Sequence, residues 1–454
     1  MLEFAAVIVR PIPNPTALFG IDPLIWGGVI LAGTYVGIIL EKINRVLVGL
    51  LGAGLMMLSG CLTQGEALAG VDFNTLALLI GMMIIVGEAR RTGVFQYLAL
   101  SATKLTGGEP YAAMALLSVV TAIMSALLDN LTTALLIVPV TLVITGQLKL
   151  PPYPFLIALM LAANIGGTAT LIGYPPNMII GSEADLTFNQ FFTNLGPIAA
   201  LILIVQIGIN HWVWGRHMKS TPEMKARALL LNPAETISDW RLLKLTLLVL
   251  TLVLLGFSLQ QILRLEVGAV ALVGAALLLL LDSLGRPIED QDKLIGQAFA
   301  AVDWNLVFFL VGMFIVVAGA ERSGLLAVLA KTILQWTGGD LKWTALALLW
   351  SSALISAFFD NIPYVASMIP VIKAMAPTFA GPGSLPPLWW SLALGACLGG
   401  NGTLFGASVN LTVAHIAEKN GIEFRFFTFV KYAFPMMLVS VVLASLYVYL
   451  RYLR

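Results

Sequence analysis

The sequence predicts an all-α polytopic membrane protein, with about ten transmembrane helices in two inverted repeats that each contain a re-entrant hairpin and an interrupted helix. The first observation is composition, because 59% of the 454 residues are hydrophobic and 11% are charged, whereas ordinary soluble domains contain about 25% charged residues. The second is a pair of acidic motifs, Asp129-Asn130 and Asp360-Asn361, that each lie between two apolar runs. The third is a pair of Gly-rich segments that interrupt later apolar runs.

Composition also limits the classes of function. Mean hydropathy is +0.93, and a net charge of +1 gives no reason to expect a nucleic-acid partner. The sequence lacks a G-x-x-x-x-G-K-[ST] loop, so ATP-driven transport would need a soluble ATPase as a separate partner. Cys61 and Cys397 form no C-x-x-C pair, and we predict no cofactor, no metal site and no enzymatic activity. The proline-rich stretch 1–22 is not expected to be a signal peptide.

Apolar runs suited to crossing a bilayer occur in both halves of the chain. They are Leu24–Leu40, Val46–Leu62, Thr75–Val86, Leu195–Trp214, Leu242–Leu259, Val267–Leu281, Asn305–Val317 and Tyr432–Leu450. Val94–Leu105 is short and amphipathic, and we expect it to lie at the membrane surface.

The two halves are copies of one unit. Val71–Gly93 and Val302–Gly324 are identical at 11 of 23 positions without a gap. The two Asp-Asn pairs are 231 residues apart, and the Gly-Gly pairs of the interruptions are 233 residues apart. If the hairpin arms dip into the membrane and return, each half makes five crossings. An odd number gives the halves opposite orientations, which is typical of secondary transporters.

These observations divide the chain into an N-terminal repeat, a linker and a C-terminal repeat. The predicted segments are 1–215, with a hairpin near 111–146 and a broken helix near 155–184; a cytoplasmic linker, 216–241; and 242–454, with a hairpin near 343–376 and a broken helix near 388–416. With both termini outside, 17 of the 25 Lys and Arg residues face the cytoplasm. The positive-inside rule therefore favours that orientation, in the inner membrane of a cell.

Asp129 and Asp360 are candidates for proton coupling. An Asp at a helix centre in the membrane costs roughly 2.5–3.5 kcal/mol, so such residues usually mark ion or substrate pathways. A second interpretation is helix capping, since Asp and Asn at a chain reversal accept hydrogen bonds from the N–H groups of the following helix. The duplication of the motif favours a function, and one residue can serve both roles.

Broken helices expose backbone groups that bind an ion or a solute, and nearby Thr and Asn side chains add hydroxyl and amide groups. The predicted binding residues are Asp129, Asn130, Thr132, Thr133, Asn164, Gly166, Gly167, Thr168, Thr170, Asn177, Asp360, Asn361, Gly399, Gly400, Asn401, Thr403 and Asn410.

The motifs DNLTTALLIVP, NIGGTATLIGYPPN and DNIPYVASMIP resemble those of the ion transporter superfamily. They are most similar to the branch of ArsB-type arsenite permeases, the melanosomal P protein and NhaD-type sodium/proton antiporters. The resemblance implies two re-entrant hairpins, two interrupted helices, elevator-type alternating access and, often, a homodimer. Dicarboxylate transporters of this superfamily carry Ser-Asn-Thr at both hairpin tips, and the Asp-Asn pairs depart from that pattern.

The resulting hypothesis is a proton-coupled antiporter that exports arsenite or antimonite. Arsenite is mostly an uncharged trihydroxide at neutral pH, so it calls for hydrogen-bonding groups rather than an anion clamp. The first alternative is a sodium/proton antiporter, because the same carboxylates could bind Na⁺ and protons in turn. Further alternatives are a dicarboxylate or other anion symporter and a passive channel subunit. The expected partners are the solute or Na⁺, protons, lipid and a second copy of the chain.

Overall fold

The computed structural model describes residues 20–454, apart from 41, 231, 380, 382 and 383. All regular secondary structure in that part of the chain is helical. The helices of the first half and of the linker are α1 Pro23–Ile39, α2 Arg45–Leu58, α3 Gln64–Ala69, α4 Phe73–Arg91, α5 Val94–Leu105, α6 Pro110–Leu127, α7 Asn130–Gln147, α8 Tyr153–Thr168, α9 Pro175–Glu183, α10 Phe188–Val213 and, in the linker, α11 Pro222–Leu229.

The second half repeats this order. Its helices are α12 Trp240–Ser258, α13 Gln260–Leu263, α14 Val267–Ser283, α15 Ile288–Ala300, α16 Trp304–Arg322, α17 Leu325–Trp336, α18 Leu341–Phe358, α19 Asn361–Met375, α20 Pro386–Gly399, α21 Ser408–Lys419 and α22 Phe426–Val448.

The predicted fold class is confirmed. Helices α6 and α7 pack together as the first hairpin. Helices α18 and α19 follow one another at the place of the predicted second hairpin, while α8–α9 and α20–α21 are the two interrupted helices. Helix ends differ from the apolar runs, because backbone hydrogen bonding in a helix continues through polar and charged residues. For example, α4 continues through Arg90 and Arg91, and α22 begins at Phe426, six residues before the predicted span.

Local sequence explains where several of these helices begin. Proline occupies the first position of α6, α9 and α20, at Pro110, Pro175 and Pro386, where its missing N–H would have no partner in any case. Gly93 and Gly324 join α4 to α5 and α16 to α17 with φ of 81° and 83°, and that left-handed conformation favours glycine. The same turn therefore occurs at the same place in both repeats.

The backbone contacts divide the chain into two compact units, and each unit draws on both halves of the sequence. One unit contains the described residues of segments 1–72, 304–339 and 366–382. Within it, α2 packs against α16 and α1. A Cβ on Gly312 would lie 2.6 Å from the carbonyl carbon of Gly49, so the absence of a side chain lets α2 and α16 approach closely.

The other unit contains residues 73–303, 340–365 and the described part of 383–454. Within it, α14 packs against α4 and α12. A Cβ on Gly81 would lie 2.7 Å from the carbonyl oxygen of Ala271. Since Gly81 and Gly312 are repeat counterparts, the same glycine contact holds one helix pair in each unit. This unit also contains α6 to α10, α18, the first residues of α19 and α20 to α22, which make the contacts described below.

The helix surfaces are those of a membrane protein. Among the described residues, nine helices are long and apolar enough to span a bilayer, and the four hairpin arms are among them. On α12, Leu247, Leu248, Leu252 and Leu255 are 48–53% exposed, and a stripe of that kind is stable in lipid rather than in water. The chain is a multi-pass membrane protein.

Candidate functional site

Each hairpin is fastened to the broken helix of its own half by the same contacts. Gly166 lies so close to α6 that a Cβ there would be 2.1 Å from the carbonyl oxygen of Ala122. In the second half, a Cβ on Gly399 would be 2.4 Å from the carbonyl oxygen of Ala353. These glycines therefore bring the break to within contact distance of the hairpin.

Hydroxyl groups add a second set of symmetric ties. Ser125 Oγ donates to the carbonyl of Ala163, and Ser356 Oγ donates to the carbonyl of Ala396, both at 2.6 Å. The breaks themselves are held in the same way, because Thr170 donates to the carbonyl of Ala126 and Thr403 donates to the carbonyl of Ala357. The two halves are thus alike at the level of single hydrogen bonds.

An asparagine closes each break. Asn177 is the third residue of α9, and its amide donates to the carbonyls of Thr170 at 2.9 Å and of Thr168 at 3.3 Å. Asn410 is the third residue of α21, and its amide donates to the carbonyls of Gly400 at 2.8 Å and Thr403 at 2.9 Å. The carbonyls freed where the helices end are therefore satisfied, as buried backbone groups must be.

A chain of asparagine amides crosses the centre between the two halves. Asn130, at the first hairpin tip, donates to Asn164 Oδ1 at 2.8 Å. Asn164 in turn donates to Asn401 Oδ1 at 2.9 Å and, more weakly, to Asn410 Oδ1 at 3.4 Å. Asn130 is 4% exposed and Asn164 is fully buried. Residues 237 positions apart in sequence thus meet in one buried polar network.

The second hairpin tip makes a different contact. Asn361 Nδ2 donates to the hydroxyl of Tyr174 at 2.7 Å and to the carbonyl of Ala396 at 3.4 Å. Close by, Cys397 Sγ donates to Asn177 Oδ1 at 3.3 Å. Neither Tyr174 nor Cys397 is among the binding residues predicted from the sequence. A position-by-position comparison of the halves would have marked both, since Tyr174 pairs with Ala407 and Cys397 with Asn164.

The two aspartates cap helices at the edge of this centre. Asp129 Oδ1 accepts the N–H of Thr132 at 2.8 Å, and Asp360 Oδ1 accepts the N–H of Ile362 at 3.1 Å. Both residues are partly exposed, whereas the neighbouring Asn130 and Asn361 are buried. The asparagines of the hairpin tips thus lie in the buried centre, and the aspartates lie beside it.

The remaining predicted residues have varied positions. Thr168 donates to the carbonyl of Asn164 in its own helix, and a Cβ on Gly167 would lie 2.6 Å from the carbonyl oxygen of Gly173. Thr132 is half-buried. Thr133 is fully buried, and its hydroxyl has no hydrogen-bond partner among the described residues. A buried hydroxyl without a partner is costly, which makes Thr133 a group that a bound solute would satisfy.

Helix ends give the centre its electrostatic character. The hydrogen bonds above bring together the N-terminal ends of α7, α9, α19 and α21 and the C-terminal ends of α8 and α20. A helix N-terminus carries about half a positive elementary charge. The carboxylates of Asp129 and Asp360 cap α7 and α19, while the residues that precede α9 and α21, Tyr174 and Ala407, are neutral. The centre therefore combines neutral side chains with partial charges of both signs.

Comparisons with known proteins agree with this architecture. The uncharacterized transporter Rv2684 of Mycobacterium tuberculosis is 38% identical and matches 93% of this chain and 97% of its own. The P protein of Sus scrofa is 33% identical over 92% of this chain, which spans 58% of that protein. The YdaH transporter of Alcanivorax borkumensis, whose crystal structure is described as having an unusual topology, has a similar fold, with a TM-score of 0.60 at 15% identity over 94% of this chain and 98% of its own.

The model of one protein family, CitMHS, described as citrate transporter, matches residues 35–395. That match covers more than half of the chain and includes both hairpins and the first broken helix. The predicted resemblance to the ion transporter superfamily is confirmed. The chain belongs to the CitMHS citrate transporter family, and it is a membrane transporter.

Proposed function

We propose that the chain is a secondary active transporter that exports arsenite or antimonite in exchange for protons, by elevator-type alternating access. The observation that carries this proposal is the buried centre of amide and hydroxyl groups at the two helix breaks, with Asp129 and Asp360 at its edge. Amides both donate and accept hydrogen bonds. They suit an uncharged solute with several hydroxyl groups, which also donates and accepts.

The electrostatics of the hairpin tips support an uncharged cargo. The carboxylates of Asp129 and Asp360 offset the positive partial charges of α7 and α19, whose first turns they cap. With those two ends balanced, the hairpin tips themselves have no strong net attraction for an anion. An uncharged trihydroxide avoids the cost of desolvating a charge on entry.

Capping gives the aspartates a physical means of coupling. A carboxylate accepts the N–H groups of the following turn, whereas a protonated carboxyl accepts them less strongly and gains a donor of its own. Protonation of Asp129 therefore weakens its bond to the N–H of Thr132 and loosens the hairpin tip next to Asn130. The same holds for Asp360 in the second repeat. A proton bound at either tip is thus linked to the geometry of the amide chain.

The chain works, in this account, in the inner membrane with both termini outside. The distribution of Lys and Arg supports this orientation. It places the linker, with the exposed Lys219, in the cytoplasm. In a variant without native cysteines, a Lys219→Cys thiol should react with an impermeant maleimide in everted vesicles only, and reaction in intact cells would refute the orientation.

The test of the cargo is accumulation of As(III) by everted membrane vesicles that contain the chain. An interior-acid proton gradient should drive uptake, and collapsing the gradient with an ionophore should abolish it. Vesicles without the chain provide the control. If the gradient drives no As(III) uptake, and Na⁺ instead accelerates the release of protons from the vesicles, the chain is a sodium/proton antiporter and not an arsenite exporter.

A carboxylate anion is the second candidate, and one observation favours it besides the name of the family. Helices α9 and α21 begin without an acidic cap, so their N-terminal ends keep their attraction for negative charge. Citrate uptake by the same vesicles distinguishes the two candidates. Transport of citrate without transport of As(III) would assign the chain to anion transport.

A further inference from the structure

The phenol of Tyr174 occupies the point at which the second hairpin tip meets the first broken helix. Tyr174 is the residue before α9, and it is 4% exposed. Its hydroxyl accepts a hydrogen bond from the amide of Asn361 at 2.7 Å. A Cβ on Gly400 would lie 3.2 Å from the same oxygen. One oxygen atom is therefore within reach of the second hairpin tip and of the second break.

This contact leaves the amide of Asn361 without a free hydrogen. An amide NH₂ group has two donor hydrogens. Asn361 uses one for the hydroxyl of Tyr174 and directs the other to the carbonyl of Ala396 at a longer 3.4 Å. A solute oxygen that binds to Asn361 must therefore displace the phenol or take the weaker position beside it.

The arrangement is specific to one half of the chain. In the first half, Asn130 donates to Asn164. The repeat counterpart of Asn164 is Cys397, whose thiol offers no amide oxygen to Asn361. The counterpart of Tyr174 is Ala407, which has no polar group and no ring. The asymmetry thus consists of one phenol that replaces an amide as the partner of a hairpin tip.

We infer that Tyr174 is the specificity-determining residue of the transporter and that its ring sets the upper size of the cargo. This inference rests on the proposed function only in taking the amide centre as the cargo site. The hydroxyl accepts a hydrogen bond from Asn361, and it also lies close to Gly400 of the second break. In this proposal a small solute binds beside the ring, whereas a longer one would overlap with it.

The experiment compares size selectivity between variants in proteoliposomes. The probes are As(III), malonate, succinate and citrate, and the readouts are transport rates and the shift of the thermal unfolding midpoint that each probe causes. Tyr174→Ala should raise the ratio of citrate to As(III) transport by about tenfold or more, the scale of discrimination by pocket shape. Tyr174→Phe keeps the ring and should keep the wild-type ratio.

Tyr153→Ala is the matched control, because Tyr153 starts α8 in the same half and its ring packs on Phe424, outside the amide centre. It should leave the ratio unchanged. If the alanine variant does not fold, Tyr174→Leu, with a side chain of intermediate length, should raise the ratio to a smaller extent.

An unchanged ratio in a folded Tyr174→Ala or Tyr174→Leu variant would overturn the inference, and so would an equal change in the control. The same experiment tests the proposed cargo independently of the role of Tyr174. Wild-type protein that ignores As(III), together with a shift from malonate towards citrate in Tyr174→Ala, would refute arsenite export and support the role of Tyr174. If the wild type transports As(III) in a proton-driven manner and the Tyr174→Ala variant has the same selectivity, the role of Tyr174 is refuted and arsenite export is not.

Discussion

Single side chains in this protein satisfy backbone groups that the broken helices leave open. Asn177 and Asn410 occupy the same position in α9 and α21, and each amide donates to carbonyls of the break before it. The sequence predicted both as binding residues. The structure places them in contact with the backbone of the breaks, so they position the centre whether or not a solute touches them.

Replacing Asn177 with Asp tests this role. The change keeps the shape of the side chain but replaces its amide with a carboxylate. The two N–H donors to the carbonyls of Thr168 and Thr170 are lost, and a negative carboxylate oxygen faces the negative ends of those carbonyl dipoles. We expect a loss of about 1–3 kcal/mol in the free energy of unfolding, measured as a lower thermal unfolding midpoint of the purified chain.

Asn420→Asp is the control for that change. The amide of Asn420 also donates to a carbonyl, that of Ile416, but it is exposed to water at the end of α21. The control should lose less than about 1 kcal/mol, chiefly from a negative charge at a helix C-terminus. Equal losses in the two variants would show that Asn177 has no special structural role.

Residue patterns predicted part of the centre and missed part of it. The repeated Asn, Thr and Gly positions could be predicted because both copies of the unit carry a polar or small residue there. Tyr174 could not, since its counterpart is Ala407 and its partner Asn361 lies 187 positions away. The sequence also could not predict that the asparagine of each Asp-Asn pair is buried while the aspartate is partly exposed. The burial of two adjacent residues at a turn depends on the tertiary packing.

At the scale of elements, glycine decides how closely hairpin and broken helix approach. Gly166 and Gly399 each face a carbonyl oxygen across the contact, that of Ala122 and that of Ala353, at distances too short for a Cβ. Since the contact is backbone against backbone, it has no flexible side chain that could move aside.

Gly166→Ala and Gly399→Ala should therefore each destabilise the protein by about 1–3 kcal/mol, the usual cost of overpacking, and reduce transport by displacing the break. The measurements are the thermal unfolding midpoint and the transport rate. Gly146→Ala in α7 is the matched control, because a Cβ there meets nothing within 4 Å and alanine favours a helix. A control as damaging as the two test variants would refute this account of the contact.

The order and type of elements followed from the sequence more completely than their ends. Apolar runs predicted the spanning helices, and α5 coincides with the predicted amphipathic segment. Five short helices, α3, α11, α13, α15 and α17, lay outside the apolar runs and were missed. Of these, α17 could have been predicted as the repeat counterpart of α5, because both follow a glycine in the left-handed conformation.

At the scale of the whole molecule, the internal repeat is the organising feature. The halves share the glycine contacts, the hydroxyl ties and the asparagine that closes each break, and they differ in the few residues at the centre. A symmetric framework thus supports an asymmetric polar centre. The sequence predicted the framework from spacing alone, whereas the identity of the cargo depends on the asymmetric residues and stays a proposal.

The central claim is that Asp129 and Asp360 couple protons to transport rather than merely cap α7 and α19. Asn caps a helix about as well as Asp does, so the double variant Asp129→Asn, Asp360→Asn keeps the capping and removes the titratable groups. The matched control is Asp239→Asn, Asp340→Asn, which makes the same change at the caps of α12 and α18.

The decisive measurement is As(III) accumulation by everted vesicles with and without an interior-acid proton gradient. The account predicts that the double variant Asp129→Asn, Asp360→Asn still binds As(III), seen as a raised unfolding midpoint, but that its vesicles no longer accumulate As(III) when the gradient is applied. The control variant should behave as the wild type does. Gradient-driven accumulation at the wild-type level in the variant of the hairpin tips would contradict the account.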